Sequence, residues 1–293
     1  STSDYYKIRA LGVPFVLLVT ALIGIMRGLQ RVSHALLLIG LITGVNILIT
    51  IFALYVVGTG LEGAAIGTTV SFVLGVLYGI AWLLKFDRET LRRSGGPIAI
   101  GEVLSFGQEA IYMFCRSGLL TGSFFVATMI ATRLGEATLA AHQIAMQVWV
   151  FSAFLIDGFA VTATSLGAKL IGQRSFAEWR TLNHRLLGMG FLLGVGFALV
   201  YHFGEAGVIS VFTPDPALVS IMHEYWPVVA WAQPLNAVVF VYDGILFGSR
   251  DFRWLAWGML FSVVLGFVPC ALLALFVTQS PLTLFLGFTA TNV

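Results

Sequence analysis

Three charges stand inside long apolar stretches of this chain: Arg116, Asp157 and Asp243. After Asp157 no charge appears until Lys169. An isolated charge in hydrocarbon is costly, and mutual pairing lowers that cost, so one cation and two anions predict a buried ionic cluster. Two roles are open to it. It can pin helices together as a permanent pair, or a carboxylate can switch between charged and neutral and so carry a proton. With two acids and one base, one acid is left to titrate. Asp243 is the expected one, preceded by Tyr242 and followed by Gly244 and Gly248. Glu109 lies two turns from its helix end, where it can reach the surface. Amides form a second group. Asn46 interrupts the apolar run Leu36–Val57, and Gln143 and Gln147 lie one helical turn apart. Each can hydrogen-bond a neighbouring helix or line a wet cavity. Phe124, Phe125, Trp149, Phe151 and Phe154 could offer ring faces to a lipophilic cation. His142 fits a capping or packing residue better than a proton relay.

The stretches that must position these groups read as membrane spans. The chain has 293 residues, 58% hydrophobic and only 10% charged, where a soluble domain carries about 25% charged residues. Its apolar runs are continuous over roughly 20 residues, which indicates helices and not the short alternating strands of a barrel. The fold class is therefore all-α, a polytopic membrane protein. Nine apolar spans are expected: 8–27, 33–57, 61–84, 103–132, 137–168, 184–204, 223–248, 253–277 and a shortened one from 281. Basic residues such as Arg27, Arg31, Arg88, Arg174, Arg180 and Arg250 fall on alternate loops. The opposite loops hold Glu62, Glu136, Glu205, Asp215 and Glu224, with Arg133 the main exception. This is a positive-inside pattern, and it places loops 28–33, 85–102, 169–183 and 249–252 in the cytoplasm. The loop 85–102 could end in an interfacial helix. Trp82, Trp226 and Trp231 fit interface belts. The run from Gly188 to Gly196 supplies small residues for close helix packing.

Several functions find no support in the residues. The net charge is +2 with no basic patch, so no nucleic-acid partner is expected. Cys115 and Cys270 both lie in apolar spans without metal-ligand company, so no metal site is expected. No nucleophile–base or zinc motif speaks for an intramembrane enzyme, and no phosphate-binding loop speaks for ATP.

An internal repeat relates the segment 5–28 to the segment 225–248. Tyr5, Ala10, Pro14, Val19, Gly24, Ile25 and Gly28 match Tyr225, Ala230, Pro234, Val239, Gly244, Ile245 and Gly248. Composition alone would give about two identities there. Gly67 and Thr69 match Gly287 and Thr289 at the same offset. Parallel repeats of this kind mark the two halves of many transporters. By that spacing, 1–84 holds the last three helices of a first lobe, 85–102 a cytoplasmic inter-lobe loop, and 103–293 a second lobe. The chain is then expected to be a fragment, with about nine of twelve helices.

The run Leu134–Trp149 (LGEATLAAHQIAMQVW), followed by "LIDGFA" and "SLGAKLIG", resembles the start of the second half of multidrug and toxic compound extrusion (MATE) transporters, nearest their DNA-damage-inducible F (DinF) branch. "YYKIRALGVPF", "GIMRGLQ" and "VYDGILFGSRD" resemble other helices of that family in order, from helix four into helix twelve. The resemblance implies two six-helix lobes around a central cavity. It further implies a monomeric multi-pass transporter of the inner (plasma) membrane, embedded in the lipid bilayer. Such a protein exports small lipophilic or cationic compounds against protons or sodium and needs no other cofactor. A flippase for lipid-linked oligosaccharide or peptidoglycan precursor shares the superfamily fold and is the alternative, although it implies a more cationic cavity. Many members pair the Asn matched by Asn46 with an Asp one turn later. That position is Thr50 here, which puts the usual first-lobe cation site in doubt. The second-lobe sodium site of another branch falls on Leu120 and Asn236, so it does not transfer.

Overall fold

The computed structural model describes residues 2–86, 99–278 and 280–291. Most of the expected 85–102 loop, with Arg88, Arg92 and Arg93, lies outside the described residues. The described residues are helical throughout, with no strand, and divide into two compact units, Ser1–Ile98 and Ala99–Val293.

The first unit holds three helices: α1 (Thr2–Gly28), α2 (Val32–Phe52) and α3 (Gly60–Phe86). α2 ends in a π-helical turn, Ala53–Val57, closed by Gly58 in the left-handed region at φ 72°. α3 packs against both neighbours. Small residues allow that approach: a Cβ on Gly75 would come within 2.6 Å of Ile42, and one on Gly79 within 2.6 Å of Leu22. Val19, Leu22, Met26, Leu38 and Val76 form the buried core.

The second unit contains α4 (Ile100–Leu134), α5 (Glu136–Gly172), α6 (Phe176–Phe203), the short α7 (Glu205–Phe212), α8 (Pro216–Trp231) and α9 (Gln233–Gly248). Next comes α10 (Phe252–Phe261), then a π-helical stretch (Ser262–Phe267), α11 (Val268–Leu273) and another π-helical turn (Ala274–Thr278). α12 (Pro281–Thr291) follows. The expected single span 223–248 is thus two helices meeting at a 48° bend. Seven described helices are long and apolar enough to cross a membrane, eight when the bent pair is one span; Pro281–Thr291 is a shorter apolar helix.

The two repeat copies end in the same kind of turn, one that also closes α5 at Arg174 (φ 57°). Gln30 and Arg250, which occupy corresponding positions in the two copies, both turn the chain at φ 60°. In each turn the same two bonds form: Arg31 N–H donates to Met26 O (2.8 Å) and Asp251 N–H to Leu246 O (2.9 Å), while Gln30 and Arg250 donate to Arg27 O and Phe247 O. The halves diverge at proline. Pro14 sits inside the unbroken α1, whereas Pro234 directly follows the α8–α9 break.

α9 is the centre of the second unit, packed on α5 and α6. Gly190 and Gly194 of α6 face it closely, a Cβ on Gly194 falling 2.7 Å from Gln233 O, as the small-residue run predicted. Gly188 and Gly196 have nothing within 4 Å. Against α5 the approach is tighter: a Cβ on Gly244 would lie 2.3 Å from Ala160 O. Because those neighbours are backbone, Gly244→Ala should cost about 1–3 kcal/mol, read as a lowered thermal midpoint in detergent. Two of the tryptophans expected in the belts are packed inside the fold. Trp82 is buried, and Trp226 is buried with its Nε1–H donating to Tyr201 O at 2.8 Å; Trp231 is exposed.

Candidate functional site

The glycine contact that seats α9 on α5 also fixes where Asp243 goes. Thr164 Oγ1 donates to Gly244 O at 2.9 Å, locking the two helices at that level. Asp243, one residue earlier, projects into a cavity bounded by α4, α5, α9 and α10. The cavity measures about 590 Å³, a size suited to a small molecule. Its walls are mostly apolar. Its charged groups are Arg116, Asp157 and Asp243, and Tyr242 adds a phenol.

Arg116 of α4 reaches across to form an ion pair with Asp243, donating from Nη2 to Oδ2. The guanidinium also lies over the Phe247 ring, 5.7 Å from its centroid. The side chains are 13% and 30% exposed, so water reaches the acid more than the base. Asp157 lines the same cavity from α5, yet it makes no hydrogen bond or ion pair among the described residues. The expected buried three-membered cluster is therefore one pair and one separate acid, and that acid, Asp157, is exposed. The acid left without a cation is Asp157, where the neighbours Tyr242, Gly244 and Gly248 had favoured Asp243. α4 carries two arginines, Arg133 in its last turn and Arg116 inside the apolar stretch, and it is Arg116 that meets Asp243 of α9.

Glu109 stands apart from the cavity. It accepts two hydrogen bonds from Arg250 Nη2, both at 2.9 Å, at the end of the unit where α9 turns into α10. Gln143 and Gln147 are exposed and do not line the cavity. Asn236 is 2% exposed, with neither amide atom hydrogen-bonded. His142 is buried between Phe285 and Phe288, the packing role expected for it. In the first unit, Asn46 Nδ2 donates to Thr68 Oγ1 at 2.9 Å, and that hydroxyl donates on to Ala64 O. Thr50 is half-buried and faces Gly67 of α3. Asn46 thus ties α2 to α3. Asn46→Leu should cost about 0.6 kcal/mol, the usual worth of an interhelical hydrogen bond in a membrane bundle, in a thermal unfolding scan.

Of the five aromatics singled out from sequence, only Trp149 lines the cavity. Phe125, Phe151 and Phe154 are exposed, and Phe124 packs behind against Trp149 and Phe288. The remaining rings of the cavity are Phe240, Tyr242, Phe247 and Trp254. They lie in runs where most large side chains are apolar, so only the alternation Tyr242–Asp243 could have marked that face. One guanidinium against two carboxylates leaves one net negative charge when all are ionised, surrounded by ring faces. Among the described residues no group of three or more His, Cys, Asp or Glu converges.

Comparison with known proteins places this geometry. A protein-family model described as MatE matches residues 98–272. Protein DETOXIFICATION 43 of Arabidopsis thaliana is 32% identical over 255 residues, covering 87% of this chain and 48% of that protein. DNA damage-inducible protein F of Escherichia coli is 23% identical over 257 residues, covering 84% of this chain and 54% of that one. A crystal structure of MATE in the bent conformation matches with a TM-score of 0.81 at 22% identity, covering 99% of this chain and 65% of that chain. The chain spans about half the length of the curated relatives it matches.

Proposed function

The chain belongs to the MatE family, a family of multi-pass membrane proteins, and from that premise we propose that its protein is a secondary active exporter. A small lipophilic or cationic compound leaves as protons, or alternatively sodium ions, move inward. The observation that carries this reading is Asp157, an acid without a partner inside a membrane-spanning helix and open to a cavity. A lone carboxylate at that depth is costly while charged. Two events relieve it: a proton neutralises it, or a cation sits beside it. They exclude one another, and mutual exclusion at one group is the physical basis of exchange. The Arg116–Asp243 pair is neutral as a unit and does not compete for the cation. Trp149, Phe240 and Tyr242 offer ring faces to the same guest.

The positive-inside pattern of the sequence supports loops 28–33, 85–102, 169–183 and 249–252 on the cytoplasmic side of a plasma (inner) membrane, and the protein is taken to act as a monomer. A lipid-linked flippase calls for a cationic cavity, which two carboxylates against one guanidinium do not provide.

Cationic-dye efflux tests this in proteoliposomes holding the protein that carries this chain at its full natural length. A pH gradient and a sodium gradient are imposed separately. Efflux driven by the pH gradient alone is expected. Efflux driven only by sodium would reassign the ion, and no efflux from folded protein under either would overturn the reading.

A further inference from the structure

Asn236, Phe240 and Asp243 follow one another at spacings of four and three residues, so they share one face of α9. Phe240 and Asp243 line the cavity, as does Phe247 one turn further on. That face therefore looks into it. Asn236 is the next residue of the same row, one turn beyond the cavity's end, where Phe240 stands against Trp149 of α5 with ring centroids 5.8 Å apart. Val241, which faces Gly190 of α6, and Ala237, which faces Gly194, belong to a different side of the helix.

The amide behind that ring is at odds with its surroundings. Asn236 is 2% exposed, and neither its Oδ1 nor its Nδ2 is hydrogen-bonded. On the adjoining turn Gln233 is 1% exposed; its Nε2 donates to Val229 O at 3.0 Å, while its Oε1 is unpaired. Polar atoms buried without partners are destabilising and are the exception in a folded chain. Helix packing does not account for Asn236, because a packing amide bonds the neighbouring helix, as Asn46 bonds Thr68. An unpaired donor and acceptor in line with a cavity can serve a guest molecule instead. Only Phe240 intervenes in that row, half-buried and bordering the open space of the cavity.

We propose that Asn236 is a specificity-determining residue of the export site: when the Phe240 ring turns aside, the cavity extends to the amide, which hydrogen-bonds a neutral polar group of the exported compound. This rests on the export reading above and adds to it. The compound's cation meets Asp157, its apolar body lies along the rings, and its hydroxyl, carbonyl or amide reaches Asn236. Asn236 and Asp243 are seven residues apart, about 10 Å along the helix axis. The substrate class is accordingly an elongated cation with a hydrogen-bonding group at its far end, in preference to a wholly apolar cation. An amide both donates and accepts, so it selects for a polar group without fixing which kind.

Binding to the purified full-length protein tests this with alkyltriphenylphosphonium cations and their ω-hydroxyalkyl analogues over a series of chain lengths. Each pair differs by one hydroxyl. Wild type should favour the hydroxylated cation at one chain length or more. Asn236→Leu should lower that preference about fivefold, the worth of one hydrogen bond, and leave the affinity for the plain cations unchanged. Leucine is close to asparagine in size and removes the unpaired amide, so the variant should fold at least as well; Asn236→Ala covers the case that it does not. A merely structural Asn236 would move both members of a pair together. An Asn236→Leu protein that keeps the preference, a loss common to both members of each pair, or a wild type without preference at any chain length overturns the inference alone. A wild-type protein that binds neither cation and drives no efflux under either gradient overturns the export reading, and the inference with it.

Discussion

Asp157→Asn should reduce gradient-driven export by at least about a hundredfold, the effect of removing roughly 3 kcal/mol of binding to the moving ion, while leaving the protein folded. The reason lies in what Asp157 does not touch. It has no hydrogen bond and no ion pair among the described residues, so asparagine, equal in size, breaks no contact. Its effect on the thermal midpoint should stay within the range of a surface change, about 0.5 kcal/mol. Function responds differently, because the amide neither binds a proton nor balances a cation. Asp157→Glu keeps the charge and should retain part of the activity. Efflux from proteoliposomes, together with a thermal scan on the same preparation, separates the two effects. An Asp157→Asn protein that exports like wild type would remove Asp157 from the mechanism.

The second large effect is on stability. Arg116→Leu leaves the Asp243 carboxylate within a spanning helix without its cation, and breaking a buried pair in this way costs about 3–5 kcal/mol. The cavity is partly wet, and the Asp243 side chain is 30% exposed, so the lower end applies. Even that is a large share of the roughly 5–15 kcal/mol that holds a typical protein folded. The double change Arg116→Leu/Asp243→Leu removes both charges and should lie much nearer wild type, because no unpaired charge remains. Thermal unfolding in detergent checks both. An Arg116→Leu midpoint equal to wild type would show that the pair does not hold α4 to α9.

The apolar runs made the long helices legible, because hydrophobicity sustained over the full length of a bilayer-crossing helix has no soluble interpretation, whereas α7 (Glu205–Phe212) falls in a stretch expected to lie between spans and the break at Ala232 divides an expected single span. The internal repeat matches Gln30 with Arg250, which make the same left-handed turn, but Arg174 outside the repeat makes it too. It did not dictate local geometry. Pro14 leaves α1 continuous, and its counterpart Pro234 directly follows a 48° bend, packed against Gly194 of α6. A proline frees backbone groups, and tertiary neighbours decide whether the chain bends there. The charged residues of the site could be named from sequence, since a charge in an apolar run stands out. Their partners could not. Which acid meets Arg116 depends on how segments far apart in the chain come together, and Arg250, which meets Glu109, reads in sequence as one more loop arginine. The aromatic lining was the least legible part. Phe247 and Trp254 carry no local mark that separates a cavity face from a lipid face, and the same holds in reverse for Trp226, whose indole finds its carbonyl on α6.

The central claim is that proton and cation compete for Asp157. Its most direct test is proton release on ligand binding, without transport. A lipophilic cation is added to the purified full-length protein in weakly buffered detergent, and the pH change is followed with an indicator dye. The account predicts proton release that saturates with cation binding and disappears in Asp157→Asn. Cation binding without proton release in the wild type, or equal release from Asp157→Asn, would contradict it.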